Sequence, residues 1–141
     1  MEQRRILIVA NQTAGGSHLK EAVRARMAEG PCRFTLLVPA TAPAGQSLWT
    51  EGEAHAVAEE RLNEALAGLR EIGVEVEGVV GDPRPISAVG DLLIERPHDA
   101  IIVSTLPVGV SRWLKQDLPH RIERTFGLPV EHVVAEPAHR P

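Results

Sequence analysis

The chain has 141 residues, 43% hydrophobic and 24% charged, with a formal net charge of -4. That is one ordinary soluble domain, taken as residues 1–141, with enough chain to bury a sizeable core. Aromatics make up only 3%, two Trp and two Phe with no Tyr, which argues for an aliphatic core and against both a stacking platform for single-stranded nucleic acid and a basic duplex-binding face.

The first predicted element is the run Ile6-Leu7-Ile8-Val9. It has no polar alternation, as expected of a strand buried on both faces. It is also too short for a signal-peptide core, and no stretch reaches the ~18 apolar residues of a membrane span, so the expected location is the cytoplasm with no membrane contact. A polar loop follows, Asn11-Gln12-Thr13-Ala14-Gly15-Gly16-Ser17. Its glycines could turn backbone N–H groups toward an anion at a helix N-terminus, or simply make a connection with Ser17 as N-cap. Neither a P-loop nor G-x-G-x-x-G is present.

Leu19, Ala22, Val23 and Met27 recur at helical spacing and stop at Gly30-Pro31. Cys32 is the one cysteine, which excludes an internal disulfide and a cysteine-cluster metal site and leaves a small buried hydrophobe. Phe34 to Val38 is a second strand. Pro39 to Gly52 is the longest unpatterned piece, read as a lid or arm that carries Trp49. Ala58, Leu62, Ala65, Leu66, Leu69 and Ile72 make a second helix ending at Gly73. Val74 to Val80 begins by alternating, as an edge strand with one wet face would.

Gly81-Asp82-Pro83 reads as an Asx turn or N-cap, with Pro83 or Pro85 opening the helix of Ile86, Val89 and Leu93. Ala100 to Val103 is a central strand, and Ser104 and Thr105 put two hydroxyls at its end. Leu114, Leu118, Ile122 and Phe126 mark a last helix stopped by Gly127. Pro119 fits only in its first turn, with Asp117 as N-cap and Arg112-Trp113-Leu114 in a preceding turn. Val130 to Val134 is the fifth strand.

Strands alternating with helices imply an α/β fold: a doubly wound, mostly parallel five-stranded sheet, in the order 3-2-1-4-5. A ligand would bind where the strand order reverses, beyond the ends of strands 1 and 4. The candidate crevice residues are Asn11, Val38, Ser104, Thr105 and Gly109. The six histidines show no metal-ligand spacing. A Ser104–His120–Asp82 triad can be written on paper, but no nucleophile elbow supports it.

The order of these pieces resembles the universal stress protein family. Its carriers are Ile6 to Ala10 with its polar turn, Gly81-Asp82-Pro83 leading into Ile86, and His98 to Ser104, which is similar to the family's "ADLIVMGS". Ser111-Arg112-Trp113-Leu114 is similar to "LSRLLLGS", and Leu128 to Val134 to "CPVLVV". The resemblance implies an adenine-nucleotide α-hydrolase-like three-layer sandwich. It also implies a homodimer through the last strand (Val130, Val133, Val134) and adds Ser111 to the crevice set.

In the family's nucleotide-binding branch an Asp follows the first strand, and G-x2-G-x9-G-S/T follows the fourth. Here Asn11 stands for the Asp. The motif glycines fall on Val103 and Leu106, or on Thr105 and Val108; Gly109 matches neither count. The closing pair falls near Gln116-Asp117, which puts a carboxylate where a phosphate would sit. The resemblance therefore implies a regulatory or interaction domain, without tight ATP binding and with no evident catalytic group or required cofactor. A protein partner fits that reading. The alternatives are an adenine nucleotide or nucleoside bound in the crevice, or a slow nucleotide hydrolase.

Overall fold

Ile6, Leu7, Ile8 and Val9 all have zero solvent exposure, which requires cover on both faces of their strand. Alternate side chains feed separate cores, because successive Cβ atoms point to opposite sides. Ile6 and Ile8 join Leu19, Val23, Phe34, Leu36, Leu62 and Leu69 on one side. Leu7 and Val9 join Leu37, Val89, Leu92, Ile101 and Ile122 on the other.

The computed structural model describes residues 3–11, 13–40, 50–107 and 111–135. Its strands are β1 (Arg4–Val9), β2 (Cys32–Pro39), β3 (Val76–Gly81), β4 (Ala100–Thr105) and β5 (Val130–Val134). Its helices are α1 (Ser17–Glu29), α2 (Glu51–Glu71), α3 (Pro85–Glu95), α4 (Arg112–Lys115) and α5 (Leu118–Phe126). The sheet order is β3-β2-β1-β4-β5, as expected, and all four pairings are parallel. The apolar faces of α1 and α2 cover one side, and those of α3 and α5 the other. Among the described residues no helix is long and apolar enough to cross a membrane.

Two local expectations need correction, and two others hold in part. The N-cap of α1 is Gly16, not Ser17, and no side chain caps that end. The unpatterned stretch is shorter than Pro39 to Gly52: Pro39 closes β2, and α2 opens at Glu51. There Thr50 and Glu53 form a reciprocal capping box, a Thr-x-x-Glu signal that ends the loop early. Residues 41–49, Trp49 among them, lie outside the described residues. Asp82 makes the Asx contact to the Arg84 amide (2.8 Å), but Arg84 holds the N-cap position and Pro85 opens α3. Asp117 does precede α5, with Pro119 in the first turn, yet it sits in the left-handed region (φ 55) and caps nothing with its side chain. Its carboxylate instead meets His120 Nδ1 at 2.9 Å.

Two close approaches clamp the β3 edge. A Cβ on Gly78 would stand 2.7 Å from the ends of Leu62 and Leu66 on α2. A Cβ on Gly81 would stand 2.9 Å from Ala88 Cβ on α3 and 2.8 Å from Leu37. Leucine ends can rotate away, but an alanine Cβ moves only with its helix. Gly81→Ala is therefore expected to cost about 1–3 kcal/mol, more than Gly78→Ala, in denaturant melts. Equal costs would mean that α3 yields as easily as a side chain.

His98, buried just before β4, ties the end of α3 to β2. Its Nδ1 lies 2.6 Å from the Arg96 carbonyl and its Nε2 3.0 Å from Thr35 Oγ1 on β2. A carbonyl only accepts, so Nδ1 carries the proton and Nε2 accepts from the hydroxyl. Burial pushes its pKa below 6.5, against the opposing pull of the Arg96 hydrogen bond. The unfolded chain then takes up the proton first, so this contribution to stability is whole above pH 6.5 and is lost as pH falls toward the lower folded value. The melting temperature should drop on acidification through this window, and the drop should be shallower in His98→Gln.

Candidate functional site

The chain leaves β1 toward one face of the sheet and β4 toward the other. Their loops part at the C-terminal ends, the switch point where a sheet of this order is expected to take a ligand in a crevice. Asn11 and Thr13 come from the loop after β1, Val38 from β2, Ser104 and Thr105 from the end of β4, and Ser111 from the turn before α4. All six are buried. Gly109 lies outside the described residues.

Burial at this depth obliges each polar group to find a partner. Asn11 Nδ2 donates to the Pro39 carbonyl at 2.7 Å, and Asn11 Oδ1 accepts from Arg61, which α2 brings over the crevice. The hydroxyls of Thr13 and Ser104 meet at 2.5 Å, tying the loop after β1 to the end of β4. Thr105 Oγ1 lies 2.8 Å from His132 Nε2 on β5. Ser111 Oγ accepts from the Leu114 amide at 3.1 Å and so starts α4. Val38 packs in the core under α1 and α2 rather than standing as an open wall.

The glycine loop is also partly engaged. The Ala14 amide donates to Asn11 O (3.2 Å) and the Gly16 amide to Thr13 O (3.0 Å), two successive turns that take up N–H groups an anion would need.

The structure thus brings Asn11, Ser104 and Thr105 to the same end of the sheet and joins them to residues that periodicity did not single out. Arg61 is one; it sits in the predicted second helix, but a half-buried arginine on a helix carries no signal of its own. Thr13 and His132 are the others. His132 is exposed as a residue, yet its ring meets Thr105, and burial followed by the charge of His120 lowers its pKa. The triad written from sequence does not assemble: Ser104 is paired with Thr13, His120 with Asp117, and Asp82 with Arg84. Trp113 packs against the α3–α5 core. Among the described residues no group of three or more His, Cys, Asp or Glu could hold a metal ion.

No family model and no curated protein matches the chain. Solved structures do. The universal stress protein from Archaeoglobus fulgidus is 18% identical with a TM-score of 0.63, over 94% of this chain and 95% of that one. The universal stress protein from Archaeoglobus fulgidus in complex with dAMP is 15% identical at 0.63, over 94% and 98%. A universal stress protein in complex with cAMP is 17% identical at 0.57, over 92% and 96%. At these identities the likeness is one of fold, and the fold is that of universal stress proteins.

The Thr13–Ser104 contact can be measured on its own. Thr13→Val or Ser104→Ala leaves a buried hydroxyl without its partner and should cost about 1–3 kcal/mol each. The double variant should cost less than the sum, with a coupling of roughly 1 kcal/mol in a double-mutant cycle. Strict additivity would mean that the two hydroxyls do not stabilise each other.

Proposed function

We propose that the chain is a regulatory or interaction domain built on the universal stress protein fold, one that does not hold ATP tightly. The observation that carries this reading is the internal pairing of the crevice: Thr13 with Ser104, and Arg61 with Asn11 and through it Pro39. A nucleotide seated at the strand ends would have to open these contacts. Opening even two of these three bonds costs roughly 2–6 kcal/mol at about 1–3 each. Micromolar binding amounts to only about 8 kcal/mol, so the loss would remove one and a half to four decades of affinity.

The loop after β4 adds to this. The phosphate-cradle glycines are replaced, and a Leu or Val cannot allow the close backbone approach that Gly does. Asp117, near the closing pair of the motif, contributes a carboxylate directed along α5 to His120, with Arg124 at 4.0 Å.

A second reading is supported by the bound nucleotides of two structural neighbours, cAMP and dAMP. Both carry a single phosphate. Arg61 beside Asn11 is a cation within reach of one phosphate, and Asn11 offers both a donor and an acceptor to a ribose or base. A nucleoside or monophosphate is thus the better candidate ligand, and the set Asn11, Ser104, Thr105, Gly109 and Ser111 is the place for it, with Val38 behind it in the core. A slow hydrolase has less support, since the Thr105–His132 contact lacks a third group to orient the ring among the contacts described.

Titration calorimetry with adenosine, AMP, ADP and ATP, each with and without Mg²⁺, separates these readings. ATP is expected to give no saturable heat below roughly 1 mM. Low-micromolar ATP binding would overturn the main reading. Binding confined to AMP or adenosine, and weakened by Arg61→Ala, would establish the second.

A further inference from the structure

β5 closes the sheet at the edge opposite β3, and among the described strands it pairs with β4 alone. Its C-terminal half is held by the pairing of Ser104 with Val133 and of Thr105 with Val134. The Ala135 amide extends this ladder, donating to the Thr105 carbonyl at 2.9 Å. One side-chain bond reinforces the same half: Thr105 Oγ1 and His132 Nε2 lie 2.8 Å apart. Val103 is the register partner of His132, so alternation puts Val103, Thr105 and His132 on one side of the sheet, the side that α5 covers.

Thr105 is 2% exposed, so its hydroxyl proton needs an acceptor within the protein. Among the described residues, Nε2 of His132 is the one it meets. Nε2 is therefore the unprotonated nitrogen of the neutral ring, and the hydroxyl donates to it. A second proton on the ring turns Nε2 into a donor. Thr105 Oγ1 can accept that bond, but its own proton is then buried without a partner. His132 is an exposed residue, so solvent can deliver the proton.

The surroundings give an imidazolium at this position little help. β4 carries no titratable side chain between Ala100 and Thr105. On α5, His120 stands close enough for its charge to oppose one on His132. Asp117 offsets part of that charge through its 2.9 Å contact with His120, and Arg124 lies 4.0 Å from the same carboxylate. α1 packs against the other side of β5, where Arg26 meets Glu131 at 2.9 Å.

We propose that His132 is an acid-released clasp: when it takes up a proton, the C-terminal half of β5 lets go of β4. The sheet then opens at the edge beside Ser104 and Thr105, so acidification changes which main-chain groups the domain presents. Burial, ahead of the charge of His120, holds the folded ring below 6.5. The released ring therefore takes up the proton first. The clasp is whole above pH 6.5 and weakens as pH falls toward the lower folded value. The inference does not rest on what the strand-end crevice binds.

Amide hydrogen exchange of the whole chain, followed by NMR from about pH 7.5 to about pH 5.0 and corrected for the intrinsic rate, tests it. With 6.5 for the released ring, one histidine can weaken the clasp by at most about thirtyfold at the acid end. Protection of the Ala135 amide is expected to fall by at least about fivefold. His132→Gln can still bond Thr105 but does not titrate, and its Ala135 protection should change by less than about twofold. Thr105→Val removes the buried hydroxyl and should show a smaller fall than the wild type. His98→Gln should leave the wild-type fall intact. A fall of equal size in His132→Gln or Thr105→Val overturns the proposal, as does a wild-type amide that keeps its protection. So does a fall that disappears in His98→Gln, which would assign it to acid unfolding of the whole domain.

Discussion

Burial of β1 on both faces is the constraint from which the rest follows. A strand with no exposed side chain must feed two cores at once, so helices have to cover both sides of the sheet. The chain then leaves β1 and β4 toward opposite faces, and the loops at their ends separate. The same burial encloses the polar side chains at the strand ends. Asn11, Thr13, Ser104 and Thr105 sit where an unpaired polar group is expensive, and each is paired within the protein. The strand ends of this fold enclose hydrogen bonds of the chain's own.

The two edges of the sheet have different fates. At β5, alternation sends Val130 toward the α3–α5 core and Val133 toward the α1–α2 core, with His132 reaching back to Thr105 and Glu131 meeting Arg26 at 2.9 Å. At β3, helices press so close that Gly78 and Gly81 have no room for a side chain. That tight clamp leaves a thin edge with apolar walls and unpaired acids beside it. The first edge is tied into its own domain by side-chain bonds. At the second, Arg70 reaches the Val76 carbonyl at 3.3 Å and Arg96 meets Glu77 at 2.9 Å.

Most of the architecture was legible because burial writes itself into hydropathy. Ile6 to Val9 and Ala100 to Val103 have no polar alternation and are central strands. Val74 to Val80 begins with alternation and is an edge strand. Leu62, Leu66 and Leu69 keep helical spacing and face the core. Most local departures lie at helix starts. Gly16, not Ser17, holds the N-cap of α1, and Asp117 holds the N-cap of α5 as expected but in the left-handed region and without a side-chain cap bond. Capping depends on the path by which the chain arrives, and residue type alone does not encode that path.

The crevice was only half legible for a related reason. The strand-end residues Asn11, Ser104 and Thr105 follow from the order of strands, which the alternation of strands and helices in the sequence led us to expect and the sheet has. The sequence by itself determined that the phosphate-cradle glycines are missing. It did not determine that Arg61, fifty residues away along the chain, would reach Asn11, or that Thr13 and Ser104, ninety-one apart, would share a hydrogen bond. Hydropathy reports how much water a residue loses, not which neighbour replaces that water. Only the tertiary structure decided the partners, because they depend on how α2 and the loop after β1 are laid across the ends of the sheet.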